Sequence, residues 1–279
     1  MIKKQLIMEK SLELFAQYGF SSTSVQEITD HCGISKGAFY LSFKSKDELI
    51  ISLIEHFFKE VIADIDQVVR ESDQEDLLYN YYYNTFEKLS KRSAFAKIFM
   101  KEQTHFFNDE FVTKVYEYTE LMQKIELVMI DKTYGEKVKD FKYDMVYSIR
   151  GLTKVYMELF LFGDVQLDID LLAKSLAEKT DLLAYYTKTP YVSKELYEHV
   201  KRPQKEVTSK EEIIVVLDEA ISILEASIER ESLLLLKDEL IERSMNEAVI
   251  TGLVQNIKHH PNCKWLTYLL VNYFKVEYK

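Results

Sequence analysis

Apolar residues recur along most of the chain at intervals of three and four, the spacing that lines one face of a helix. Residues 3–18 set Ile7, Met8, Leu12, Phe15 and Tyr18 in this phase, and Gly19 stands where a left-handed helix stop belongs. The next segments are short. Ser24-Val-Gln-Glu27 is a capping box opening a helix through His31, with Val25, Ile28 and Cys32 on one face, and Gly33 breaks it. Ser35 caps a second short helix to about Phe43, and Ser45-Lys-Asp-Glu48 is a further capping box that starts a long helix towards Arg70. Beyond it the periodicity predicts helices over 75–90, 93–106, 108–132, 140–162 and 168–187. The Thr189-Pro190 and Arg202-Pro203 steps, with a polar run at 201–210, mark a boundary or linker. Ser209-Lys-Glu-Glu212 caps a helix to about 229, and helices near 231–257 and 262–276 follow.

Composition narrows this to an all-α fold. Seven glycines and three prolines in 279 residues exclude a sandwich, a propeller and a Gly-rich Rossmann or P-loop architecture. An apolar content of 47%, with 13% aromatic, is enough for a sizeable core. Cys32 and Cys263 lie far apart with no CxxC, so neither a disulfide framework nor a zinc cluster is expected. Lys3 and Lys4 resemble a signal n-region, but Glu9, Lys10 and Glu13 interrupt any apolar stretch, and no window approaches the ~18 apolar residues of a membrane span. The expectation is a soluble cytoplasmic protein with no membrane partner.

A net charge of −10 argues at first against nucleic acid, but its distribution reverses that. Residues 1–46 carry six lysines against four carboxylates, a net of +2, while the rest of the chain carries −12. A slightly basic head precedes an acidic body. Within that head, residues 24–43 have the helix, glycine-containing turn and helix of a helix-turn-helix. The second helix of such a motif enters the major groove and meets base edges with its N-terminal residues, here Lys36, Gly37 and Ala38. Lysine can donate to guanine or phosphate, and glycine and alanine let the backbone come close. Phe39 and Phe43, four apart, would face inward, leaving Tyr40 to reach a phosphate. The helix starts near Ser24 and Ser45 offer free N–H groups suited to phosphate, with Lys46 beside them.

Leu12-Glu-Leu-Phe-Ala16, Gly19-Phe20, Thr23-Ser-Val, Ile28, Gly33-Ile-Ser-Lys-Gly37, Phe39-Tyr40, Phe43 and Lys46-Asp-Glu-Leu49 together resemble the N-terminal signature of the TetR family of bacterial regulators. The resemblance covers about the first 50 residues without a gap. It implies a three-helix DNA-binding head at 1–47, a helical-bundle body at 48–187 that binds ligand and dimerises, and an extra helical region at 188–279 of open role. It further implies that Thr23, Ser24, Ser35, Lys36, Ala38, Tyr40, Ser42 and Lys46 contact operator DNA, in a homodimeric repressor released by a small-molecule inducer.

The body is rich in rings, and Tyr82, Phe86, Phe99, Phe106, Tyr118, Met122 and Tyr156 are candidates to line a pocket for an apolar or aromatic ligand. Nearby carboxylates such as Glu87, Glu102 and Glu158 would admit a lipophilic cation. The competing reading of each ring is ordinary core. Apolar faces on 141–162 and 168–187 could build a two-fold interface, or be buried within one chain. The apolar run Leu233–Leu236 and the Trp265 segment read as an added layer whose natural seat is the outer face of helices 140–187. Glu102-Gln-Thr-His105 has the spacing of a bundle metal site but occurs once, and His259-His260-Pro-Asn-Cys263 lacks a second cluster, so no metal and no cofactor is expected. No Ser-His-Asp ordering or phosphate loop supports an enzyme; an all-helical adaptor or enzyme with a structural helix-turn-helix is the alternative.

Overall fold

The computed structural model describes residues 2–91, 109–162, 168–200 and 209–277, and helix is the only regular secondary structure among them. The elements are α1 (Ile2–Tyr18), α2 (Val25–Cys32), α3 (Lys36–Tyr40), α4 (Lys46–Glu71), α5 (Leu77–Lys91), α6 (Asp109–Tyr134), α7 (Lys142–Phe162) and α8 (Ile169–Tyr186), followed by α9 (Lys194–Val200), α10 (Lys210–Ile223), α11 (Ile228–Glu242), α12 (Glu247–Ile257) and α13 (Lys264–Phe274). The helix expected at 93–106 lies outside the described residues.

Two buried clusters organise the chain. The first joins Ile7, Phe15, Phe20, Ile28, Phe39 and Phe43 to Leu49, Ile50, Leu53 and Ile54 on the first half of α4. The second gathers Ile62, Ile65 and Val69 from the other half of α4 with α5 to α8 and α10 to α13. One helix therefore belongs to both cores. Its 26 residues span roughly 39 Å at 1.5 Å per residue.

Local chemistry sets the ends. Ser24, Ser45 and Ser209 accept the backbone N–H of Glu27, Glu48 and Glu212, and the Ser24 and Ser209 boxes close reciprocally. At the middle one, the Glu48 carboxylate instead accepts the Lys44 N–H, at 2.6 Å. Gly33 ends α2 at φ +65°, a conformation that costs glycine no Cβ clash.

Beyond residue 190 the structure departs from the periodicity reading. The single helix expected at 231–257 is two. Arg243 turns left-handed at φ +45°, and the buried Glu239 carboxylate takes the N–H groups of Ser244 and Met245 at 2.7 and 2.8 Å. Asn246 then caps α12. The preceding helix stops at Ile223 and Ser227 caps a new one. Residues 194–200, just before the polar run read as a linker, form α9, whose Tyr197 is buried with its ring 4.7 Å from that of Tyr143.

The seat of the C-terminal helices also differs. α13 packs along α4 rather than on the outer face of 140–187. Lys264 pairs with Asp64, Lys258 with Glu71 at 2.9 Å, and His259 meets Gln67 at 2.9 Å. The acidic residues on the far half of α4 supply the partner that the apolar pattern alone did not reveal. Of the Leu233–Leu236 run, Leu233 and Leu236 are buried while Leu234 and Leu235 stay exposed, as three-residue spacing on one helix requires.

Candidate nucleic-acid interface

The turn between α2 and α3 is fixed by backbone bonds: Gly33 N–H donates to Asp30 and Ile34 N–H to Thr29, at 3.2 and 3.0 Å. Ser35 caps α3 by accepting the Ala38 N–H at 3.2 Å. Phe39 and Phe43 are 0% and 1% exposed, with ring centroids 5.9 Å apart. Burying this pair pins α3 to the head core and turns its other side outward. Lys36, Gly37 and Tyr40 are exposed on that side, Tyr40 at 52%, with Ser35 also exposed and Ala38 partly so.

The other expected contacts divide. Ser24 is exposed at the start of α2, where its N–H and hydroxyl both donate to Glu27 at 2.7 Å and hold that carboxyl below its usual range. Thr23 is buried, its hydroxyl donating to the Gly19 carbonyl at 2.7 Å. Ser42 is half-buried and its hydroxyl lies 3.4 Å from the Ala38 carbonyl. Lys46 is half-buried beside the chain that leads into α2. Its ammonium donates to the carbonyls of Phe20 and Thr23 at 2.8 and 2.9 Å and sits 4.2 Å from the Phe20 ring centroid. Two of its three donors thus tie α4 to the chain entering α2.

Sequence reasoning passed over Leu41 and Lys44. Leu41 is 91% exposed at the end of α3 and Lys44 is exposed after it. Helical phase held the signal, because position 41 falls between the two inward phenylalanines. Behind α2, Glu13 meets both His31 and Lys10 at 2.8 Å, and those two hydrogen bonds hold its carboxyl below the usual range.

In the body, the five described candidates among the seven pocket residues are not brought around one cavity. Tyr82 and Phe86 are fully buried core, and Tyr82 shares a 2.7 Å hydrogen bond with Thr180. Tyr118 stacks on Phe58 at 5.2 Å, Met122 is half-buried, and Tyr156 lies under Lys179 at 5.8 Å. Phe99 and Phe106 lie outside the described residues. A cleft of about 530 Å³ runs along α7 and α8, lined by Leu152, Lys179, Leu182, Leu183, Tyr186 and Thr187. A second, of about 400 Å³, is lined by residues including Tyr79, Tyr134, Asp181 and Tyr185. Neither is lined by any of the five described candidates.

The buried carboxylate of Glu126 was not foreseen. Burial pushes it up to about 7, against the opposing pull of Arg150 at 3.5 Å and of the Tyr81 hydroxyl, which donates at 2.9 Å. Its Oε2 has no hydrogen-bond partner among the described residues. Glu102 and His105 lie outside those residues, and His260 stands 3.7 Å from Cys263 Sγ. No group of three or more His, Cys, Asp or Glu side chains could hold a metal ion among the described residues. No described helix is long and apolar enough to cross a membrane.

Residues 7–53 match the family model of bacterial regulatory proteins, tetR family. The chain is similar to two uncharacterised HTH-type transcriptional regulators of Bacillus subtilis strain 168. It is 26% identical to YerO, over 91% of this chain and 89% of that one, and 26% identical to YuxN, over 91% of each. Among solved structures, the fatty acid degradation regulator FadR of Bacillus halodurans shares the fold with a TM-score of 0.55 at 20% identity. That likeness uses 94% of FadR but only 65% of this chain, so about a third of this chain has no counterpart in it.

Proposed function

We infer that the chain is a TetR-family DNA-binding transcriptional regulator, on the match of its helix-turn-helix head at residues 7–53, and that it is a homodimeric repressor released from operator DNA by a small ligand. The observation that carries the DNA-reading part is the two-sidedness of α3: Phe39 and Phe43 are sealed in the core while Lys36, Gly37 and Tyr40 stand outward beside Ser35 and Ala38. Lys36 reads a base edge and Tyr40 anchors phosphate. Ser24 presents the start of α2 to phosphate, while Thr23, Ser42 and Lys46 support the motif from behind. Residues 1–47 form the head, 48–187 the ligand-binding and dimerising body, and 188–279 the C-terminal region.

Dimerisation is supported by apolar side chains left exposed along α7 and α8, among them Val155, Leu159, Leu171, Leu182 and Tyr186, the last two of which line the 530 Å³ cleft. A two-fold pairing on this face sets two recognition helices for successive major grooves, roughly 34–36 Å apart. The ligand is an apolar or aromatic molecule, including lipophilic cations, taken among the rings of the body. It releases DNA by binding better to a conformation in which that spacing no longer fits. The protein acts in the cytoplasm, without enzymatic activity.

Selection from a pool of random duplexes tests this reading. It should enrich a two-fold symmetric sequence whose halves lie about one helical turn apart, bound with a stoichiometry of two chains. A pool without enrichment, or an asymmetric site bound by one chain, overturns it.

A further inference from the structure

The far half of α4 is held by lysines from four different parts of the chain. Lys88 on α5 reaches Asp64 at 2.6 Å, and Lys264 on α13 reaches the other oxygen of the same carboxylate. Lys258, just after α12, is buried and meets Glu71 at 2.9 Å. Lys132 on α6 donates to the carbonyls of Val69, Arg70 and Ser72 at 3.1, 3.0 and 2.7 Å, which neutralises the negative end of the helix. Burial would push the Asp64 carboxyl up, yet the two ammonium groups hold it below its usual range. The ion pair is therefore formed in a half-dry setting, where losing one partner is costly.

Two of these four lysines belong to the C-terminal region, and both meet carboxylates in the far half of α4. Trp265 extends the same contact: it stacks on Tyr268 at 5.1 Å, with Lys59 of α4 5.9 Å from its ring. The near end of α4 is packed into the head through Leu49, Ile50, Leu53 and Ile54. A rigid helix fixed at one end by these pairs transmits its tilt to whatever is packed at the other.

We propose that the C-terminal helices clasp α4 through Lys264 and Lys258, and that Asp64 is a positioning residue through which this clasp sets the operator affinity of the head. The proposal rests on the DNA-binding reading above. It makes operator affinity depend on residues far from the DNA-facing side of α3, on the C-terminal helices.

The test uses the full chain and the duplex enriched by selection. Lys258→Glu places a carboxylate against Glu71 and should lower affinity about fivefold or more, the usual scale of coupling between distant sites. Lys264→Met should do the same, and Asp64→Asn combined with Lys264→Met should be no worse than either alone. Glu71→Lys with Lys258→Glu should restore affinity. The salt dependence of binding should stay at the wild-type slope throughout, because no phosphate contact is removed. Leu236→Ala, buried among the C-terminal helices, is the control: it should lower the melting temperature and leave affinity near wild type at 20 °C. Equal affinity of wild type, Lys258→Glu and Lys264→Met overturns the clasp, as does a loss with Leu236→Ala matching theirs. A wild-type chain that binds no duplex overturns instead the DNA-binding reading on which the clasp rests.

Discussion

The two ends of α4 are both buried in apolar cores, but only one of them is also fastened by charge. The near end sits in an apolar clamp of side chains from residues 7–54, joined by Phe111, and Lys46 at its start donates to the backbone carbonyls of Phe20 and Thr23. The far end buries Ile62, Ile65 and Val69 in the larger core and adds charge to that burial, through lysines that come from residues 88, 132, 258 and 264. Apolar burial is indifferent to direction, and it suits a head that must keep one shape. Ion pairs are directional and depend on each partner, which suits a joint whose setting is adjusted.

The largest expected effect falls on the near end. Phe39→Ala removes a fully buried ring and should cost about 3–5 kcal/mol of head stability. Trp265, the only tryptophan, lies at the other end and reports that region alone. Urea unfolding should therefore show an early loss of helical circular dichroism with the Trp265 fluorescence transition unmoved. A joint shift of both signals would mean that the two ends unfold as one unit and would dissolve the contrast.

A second prediction asks whether every charge in the body is as well matched as those on α4. Glu126, raised to about 7 by burial, favours its protonated form in the folded chain. Stability from that form is complete below the ordinary carboxylate range and is lost as pH rises towards 7. Glu126→Gln should therefore raise stability at pH 8 by about 1–3 kcal/mol, reduced by the loss of the Arg150 attraction, and change little at pH 4.5. Melting temperatures at the two pH values check this; a destabilised variant at pH 8 would place Glu126 among the satisfied pairs.

Smaller effects belong to the head surface. Ser24→Ala removes one side of a reciprocal cap and should cost about 1 kcal/mol of head stability, read by the same circular dichroism. Tyr40→Phe should leave stability unchanged and weaken binding by about 1 kcal/mol on every duplex alike, as loss of one neutral hydrogen bond to phosphate requires.

The same contrast explains what the sequence made legible. Capping boxes place their partners three residues apart, and Phe39 and Phe43 are four apart, so the head announces itself locally. Lys264 and Asp64 are separated by 200 residues and share no pattern, so neither the ion pair nor the seat of α13 is visible from periodicity. Arg243 takes a left-handed turn without being glycine, which hid the break between α11 and α12. The bonds of Lys46 are hidden for a related reason: a lysine at a helix start has the same spacing whether it meets phosphate or a carbonyl of its own chain.

The central claim is that the outward side of α3 reads DNA. Wild type and Lys36→Ala should be titrated side by side on the selected duplex and on a scrambled duplex of equal composition, at one salt concentration. A lysine reading a base edge predicts a loss larger on the selected duplex by about 1–3 kcal/mol. An equal loss on both would reduce Lys36 to a phosphate contact, and no loss on either would contradict the assignment of α3 as the reading helix.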